Sequence, residues 1–450
     1  GGSKVLSVNL QNTFVGIGAA SSITTGNFNT AMGNEALFSN TTGERNTAFG
    51  LWSLRSNISG SFNTAIGKSA LHVNSTGSFN TANGYEALYE NTTGGINTAV
   101  GYLALSKNTI GERNTAFGSS ALYSNTTASY NTAVGTLSLA NNTASENTAI
   151  GYYALAFNTT GQANTANGTS SLNNNTTGSS NTANGYKALY SNLTGIQNTA
   201  LGAQALINNT TGNNNIAIGH GANGGILTGG GNIAIGVNAG VIFGDLFNTI
   251  TIGHLVQVDV SNKVRIGNSN ITSIGGQVGW TTFSDGRYKQ NVQENVPGIA
   301  FINKLRPVTY SVDTKSLDEN YYKLKPGMAS AANTSYRHTG FIAQEVERSA
   351  TALGFNFSGV DKPDQPDKLY GLRYAEFVVP LVKAVQEQQL MIEELKKQNE
   401  LLLKRLEMLE NKNKKNYQNK NVKQLILLKV RTQQRKTRKS VFFSLFRELE

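Results

Sequence analysis

The chain has 450 residues, a formal net charge of +11 and no cysteine, which excludes a disulfide framework and any thiolate metal site. Residues 411–450 hold eight Lys and four Arg against two Glu, so ten of the eleven net positive charges sit in the last forty residues. The remainder is close to neutral and calls for no specific nucleic-acid partner, and no run of about 18 apolar residues marks a transmembrane segment.

The chain opens on Gly1-Gly2-Ser3-Lys4, with neither an initiator Met nor a secretory apolar stretch, and residues 1–11 read as a lead-in to a processed or truncated product. From residue 12 to 247 one phrase recurs. Asn-Thr-Ala-x-Gly begins at Asn29, Asn46, Asn63, Asn80, Asn97, Asn114 and Asn131, then after one 16-residue step at Asn147, Asn164, Asn181 and Asn198, with variants at Asn12, Asn215 and Asn232. A 17-residue period held over this length means a stacked array, because each unit is too small to bury its own apolar face. The fold class is therefore mainly β, a parallel β-roll or β-solenoid rod. At about 4.8 Å of rise per coil, some 14 coils would make a rod on the order of 65 Å long.

Within a coil, two short apolar segments (Ala31, Met32; Ala36, Leu37) closed by Gly or Asn corners predict two strands with turns between them. Gly33 and Gly43 head columns where the backbone needs φ > 0 or close approach to the next coil. Asn40, Asn57, Asn74, Asn91 and Asn108 are placed to form an amide ladder. They also read as glycosylation acceptors, but the corner explains every copy at once. Leu37, Leu54, Leu71 and their successors form the best interior column. The position after Asn-Thr-Ala (Met32, Phe49, Ile66, Asn83, Val100) must point the other way from Ala31, so a second, partly apolar face awaits a partner. Residues 1–244 contain no Asp and six Glu, too few carboxylates for a calcium-binding roll or a glycosidase pair. The four histidines show no ligand spacing, so neither metal nor cofactor is expected.

This pattern resembles the head repeats of trimeric autotransporter adhesins, which carry a related Asn-x-x-Ala-Ile-Gly phrase in shorter coils; Asn215–Gly219 and Asn232–Gly236 match it closely. The resemblance implies three parallel chains. Residues 248–283, with Thr249–Gly253, Val264–Gly267 and Ile271–Gly276, read as a β neck of short alternating strands.

At Ser284-Asp285-Gly286-Arg287-Tyr288-Lys289 the composition changes, and residues 284–377 are rich in charges, prolines and helix formers. A Ser with a Lys five residues on is weak evidence alone, since a Lys must be neutralised by desolvation before it can act as a base. The hexapeptide resembles the signature that opens the intramolecular chaperone domain of phage tail spikes and endosialidases. Gly340–Val346 and Leu381–Glu387 are similar to that family's later phrases, in the same order. The resemblance implies an α+β domain that trimerises, helps the upstream fibre fold and then cuts itself off as a single-turnover serine peptidase. Carried over by position, the scissile bond is Phe283-Ser284, Ser284 the nucleophile and Lys289 its base. Asp285 and Arg287 shape the turn as an ion pair, Phe341, Ile342 and Val346 belong to the core, and Gln344 and Glu345 could line the site. Tyr288 stands where that family usually has Leu.

From Val378 the apolar positions step by 3 and 4 through Leu381, Val385, Ile392, Leu395, Leu402, Leu406 and Leu409, which predicts a parallel coiled coil over 378–410. Polar Gln388 and Asn399 at interface positions would fix register or oligomer number; three strands is what the resemblance implies. Residues 411–450 read as a disordered basic tail. Together these readings imply a homotrimeric extracellular fibre, a phage tail fibre or a bacterial surface stalk, with a host-surface glycan or receptor as partner. The alternative is a repetitive-ligand module for glycan or ice that uses the Thr columns (Thr30, Thr47, Thr64, Thr81, Thr98). A turnover enzyme of endosialidase type lacks any sequence for its catalytic domain.

Overall fold

The computed structural model describes residues 6–8, 11–242, 244–321, 337–365, 368–413, 426–436 and 438. The chain divides into two compact units, residues 1–279 with 313–333, and residues 280–312 with 334–450. Most of the lead-in 1–11 and of the basic tail 411–450 lies outside the described residues.

The first unit is a parallel β-solenoid with a 17-residue coil. Each coil contributes one three-residue strand, such as Thr30–Met32, Thr47–Phe49 and Thr64–Ile66. Consecutive strands pair in register, Thr30 with Thr47, Ala31 with Ala48 and Met32 with Phe49. From Thr13–Val15 to Ile250–Ile252 each three-residue strand of the ladder buries only its middle residue: Ala31 is fully buried, while Met32 is 38% exposed. The sheet starts with an antiparallel partner, Leu6–Val8 on Thr13–Val15, and runs on through Ile250–Ile252 and Val264–Ile266, so the ladder continues into the segment read as a neck.

Among the described residues the expected second strand forms only near the end of the rod, where Gly240–Val241 pairs in parallel with Gln257–Val258; in the other coils it is replaced by a turn. The Ala36-Leu37 segment is a turn in which Glu35 and Leu37 both adopt left-handed φ, 51° and 53°. A branched apolar residue there is strained by about 1–3 kcal/mol unless its surroundings over-determine it. Here they do. The Leu37 N–H donates to the Ser53 carbonyl of the next coil at 3.0 Å, and the Leu37 carbonyl accepts from the Asn40 N–H at 3.1 Å. Its side chain is fully buried in the column with Leu54, Leu71 and Leu88. Stacking thus holds a conformation that local propensity opposes.

The interior of a coil is Ala31, Ala36 and Leu37 flanked by two buried amides, Asn29 and Asn40. The Asn40 column is the expected ladder: Asn57 Nδ2 donates to Asn40 Oδ1 at 2.7 Å and to the Gly60 carbonyl at 2.9 Å. These side chains are fully enclosed, which rules out the glycosylation reading. The Asn29 column works differently. Its Oδ1 accepts from the Asn46 backbone N–H at 2.9 Å, and its Nδ2 donates to the Gly43 carbonyl at 2.9 Å. Both amides are buried at little penalty because their polar atoms are paired.

The two Gly columns answer to different constraints. Gly33 has φ of 145° and a Cβ there would overlap the Gly50 carbonyl; Gly43 has ordinary φ, and a Cβ would overlap the Gly60 carbonyl and Asn40 Oδ1. The 16-residue step falls in the corner Asn142–Ala144, and the preceding coil carries Ala128 where most others have Gly. At this fault two fully buried amide atoms, Asn125 Oδ1 and Asn131 Nδ2, lack partners among the described residues. A second irregularity is an exchange: Asn223 occupies the Leu column and Ile226 the Asn column, and Asn209 Oδ1 and both side-chain polar atoms of Asn223 lack partners among the described residues.

The second unit is α+β. Short strands Val308–Tyr310 and His338–Gly340 pair antiparallel, as do Val360–Asp361 and Gly371–Leu372. Its core gathers Phe301, Val346, Ala350, Phe357 and Phe377. The 36-residue helix Val378–Asn413 follows, and its apolar heptad positions Leu381, Val385, Leu395 and Leu402 are about half exposed. Among the described residues no helix is long and apolar enough to cross a membrane.

Candidate functional site

The hexapeptide at 284–289 folds into one 3-10 turn, Gly286–Tyr288, whose ends are set by its own side chains. Asp285 caps the start, its Oδ1 accepting from the Arg287 N–H at 2.9 Å. The Arg287 guanidinium returns to the same carboxylate, with Nε at 3.1 and 3.0 Å from the two oxygens and Nη2 at 2.5 Å. This two-pronged contact holds the Asp285 carboxyl below the usual carboxylate range and raises the Arg287 guanidinium. The Lys289 N–H closes the turn on the Gly286 carbonyl at 3.2 Å.

The turn brings together the two residues singled out for chemistry. Lys289 Nζ lies 2.7 Å from Ser284 Oγ, within range for direct proton transfer. The rings of their sequence neighbours Phe283 and Tyr288 have centroids 5.7 Å apart. All of this is open to water, with Phe283 74% and Tyr288 70% exposed. Asp285 and Arg287 sit as the turn-shaping ion pair, four and two residues from Lys289 in sequence, and among the described residues hydrogen-bond to neither Ser284 Oγ nor Lys289 Nζ.

Residues 284–355 match the family model described as chaperone of endosialidase. The match opens on Ser284 itself. A comparison with curated proteins finds no match. The C-terminal part of the chain thus carries a domain similar to the endosialidase chaperone, at the place its phrases indicated.

Within this chaperone-like domain the phrase Gly340–Val346 is largely architectural. A Cβ on Gly340 would overlap the Tyr374 hydroxyl, which accepts from the Phe341 N–H at 3.1 Å, and the Phe341 ring stacks on Phe377 at 5.3 Å. Val346 is buried, whereas Ile342, expected in the core, is 38% exposed. Glu345 is clamped by Arg306, with Nη2 to Oε1 at 2.6 Å and Nε to Oε2 at 3.0 Å, which lowers its carboxyl pKa. Gln344 is exposed on the helix Ala343–Thr351. Among the described residues neither Gln344 nor Glu345 hydrogen-bonds to Ser284 or Lys289.

One residue of the later phrase has a role that spacing did not reveal. Glu387 Oε2 accepts from the Ile299 N–H at 2.8 Å, capping the short helix Ile299–Ile302 from a position 88 residues away. A Cβ on Gly298 would collide with Glu387 and the backbone of Ala384, so Gly298 and Glu387 form one joint. The only sequence signal was an acidic residue inside an apolar heptad. Gln388 and Asn399 lie on the long helix, and no group of three His, Asp or Glu suited to a metal occurs among the described residues.

Proposed function

We propose that this chain is the subunit of a homotrimeric extracellular fibre, a phage tail fibre or a surface stalk. Its C-terminal chaperone-like domain drives trimerisation and solenoid folding and then cleaves the Phe283-Ser284 bond. The solenoid rod and the family match at 284–355 support the coarse reading, a stalk with its own chaperone. The observation that carries the cleavage step is the 2.7 Å approach of Lys289 Nζ to Ser284 Oγ.

In the proposed step, Ser284 Oγ bonds to the Phe283 carbonyl carbon while Lys289 Nζ takes the hydroxyl proton. The C–N bond then breaks, the proton passes to the departing Ser284 amine, and an ester joins Phe283 to Oγ. Water hydrolyses the ester, leaving a Phe283 carboxylate and a free Ser284 N-terminus. Lys289 must be neutral to begin, which requires desolvation. In one chain the turn is exposed, so the cover falls to the assembled trimer, and cleavage follows assembly. The trimer itself is assigned to the helix Val378–Asn413 as a parallel coiled coil, with Gln388 and Asn399 setting its register.

Intact mass of the expressed chain should show fragments ending at Phe283 and beginning at Ser284, and Ser284→Ala should remain whole. Folded, trimeric wild type that stays uncut would sink the peptidase assignment and leave the chaperone role standing. The alternative reading, a lattice-binding module, is the weaker one. Its Thr column does point outward, but the adjacent outward column runs Met32, Phe49, Ile66, Asn83, Val100, so the face carries no regular array.

A further inference from the structure

The outward face of the solenoid sheet changes character at its C-terminal end. From Thr30 to Thr199 the first outward position of every strand is Thr, and the second varies, with Asn at Asn83, Asn167 and Asn184. In four successive parallel strands both positions then become β-branched aliphatics: Ile216 and Ile218, Ile233 and Ile235, Ile250 and Ile252, Val264 and Ile266. Six of these eight are at least 36% exposed, and Val264 reaches 60%. Residues 215–244 contain no Asp, Glu, Lys or Arg. The one charged residue in the four strands is Arg265, a middle residue whose Nη1 donates to the Gln257 carbonyl at 2.8 Å.

Eight such side chains on strands about 4.8 Å apart make an apolar patch of roughly 500 Å², at the upper end of what a monomer leaves to water. We propose that this patch is a clasp between copies of this chain, closing the last four coils of the rod, where both outward columns are aliphatic, while upstream the Thr column, beside a mixed column, stays wetted. The inference rests on the homotrimer reading and locates where the rods meet. A second copy is the occupant for three reasons. The patch has no charge for a polar partner to complement, and like copies meet no repulsion across it. Its two aliphatic columns run side by side, so the first column of one copy can pack on the second column of the next and close a ring. Two such patches together remove about 1,000 Å², the threshold for specific association.

The clasp also answers the weakness of a repetitive rod. Nearly identical coils specify register poorly. A slip by one coil would set an Ile pair against Thr199 and Leu201 and strand the aliphatic pair at the other end, so the rods align where the composition changes.

The chain has no native cysteine, which makes the test direct. Full-length chain carrying Ile233→Cys with Ile235→Cys is compared with Thr165→Cys plus Asn167→Cys, the same two columns four coils upstream. Under mild oxidation the first pair should form covalent multimers on a denaturing gel at least tenfold faster. Equal, slow cross-linking in a chain that sediments as a trimer would overturn the clasp and leave the trimer; a monomer by sedimentation would overturn both. As a second arm, Ile233→Thr, Ile235→Asn, Ile250→Thr and Ile252→Asn together impose the pattern the chain itself uses at Thr182 and Asn184. Amide exchange in 215–266 should then rise about tenfold with the upstream coils unchanged. Unchanged exchange there would show the patch to be uncovered or covered by the chain's own downstream segment, and the clasp would fall.

Discussion

Between Asn12 and Ile266 the interior uses the same few residues again and again, two Ala, one Leu and two Asn in a typical coil. The domain after Trp280 closes instead around Phe301, Phe357 and Phe377, each used once, with ring centroids about 5 Å apart. In the rod each side chain meets its own kind in the coils above and below, so its energetics are those of nearest neighbours. In the domain every contact is with something different, and no residue can stand in for another. Damage should therefore stay local in the rod and spread in the domain.

The largest effect is expected where backbone meets backbone. Gly84 has φ of 145°, and a Cβ there would overlap the Gly101 carbonyl. Gly84→Val should cost more than about 3 kcal/mol, since it adds strain and a clash that no side chain can relieve. Limited proteolysis should cut near residues 80–101 and spare coils beyond 150; uniform collapse of the rod would break the nearest-neighbour picture.

Next come the two cores. Phe301→Ala should cost about 3–5 kcal/mol and unfold the chaperone-like domain as a unit, while Leu88→Ala and Leu189→Ala should each cost about 2–5 kcal/mol. The sharper expectation concerns the latter pair. Both Leu side chains are fully buried between identical neighbours, so their losses should agree closely although the sites are six coils apart. Denaturant melts of the two variants give the comparison, and a difference above about 1 kcal/mol would show that position along the rod matters.

A gain is expected at the short coil. Adding a Thr after Thr143, with Ala144→Gly and Ala128→Gly, restores the corner Asn-Thr-Thr-Gly found elsewhere and should give Asn125 Oδ1 and Asn131 Nδ2 their partners. Pairing two buried amide atoms should raise stability by about 1–2 kcal/mol, and a melting temperature that falls instead would mean the fault is already satisfied by water.

These cases also mark what the sequence could disclose. The period exposed the rod, the Leu column, the Asn40 ladder and the outward columns, because stacking places every copy of a position in one environment. It did not disclose that Leu37 is left-handed, since propensity argues against it and only the coils above and below enforce it. The Asn29 column looked like the Asn40 column, and its separate backbone-bridging role depends on which carbonyl lies overhead. At 284–289 all the needed residues are adjacent, and so the turn, the Asp285–Arg287 pair and the Ser284–Lys289 approach were legible. Glu387 was not, because its partner Ile299 lies far away in sequence.

The smallest expected effect is electrostatic and belongs to the rod. The half-buried His72 ring stacks on Tyr89 with centroids 5.1 Å apart, meets Trp52 edge-on at 6.1 Å, and its Nδ1 lies 3.2 Å from the Trp52 carbonyl, so the neutral ring donates there through Nδ1–H. Burial lowers its pKa below the ordinary 6.5, with Arg55 adding to the fall against the opposing pull of the Trp52 carbonyl, Glu86 and Glu35. The unfolded chain then binds the proton more readily than the folded one. Stability on this account is complete above pH 6.5 and is lost as the pH drops below it. Solvent screens a half-exposed ring, so the loss should be small. His72→Tyr keeps the aromatic stack without the titration. The difference between the two melting temperatures at pH 8 should widen at pH 5, with wild type losing more. Wild type gaining on the variant in acid would mean that Glu35 and Glu86 outweigh burial at this ring.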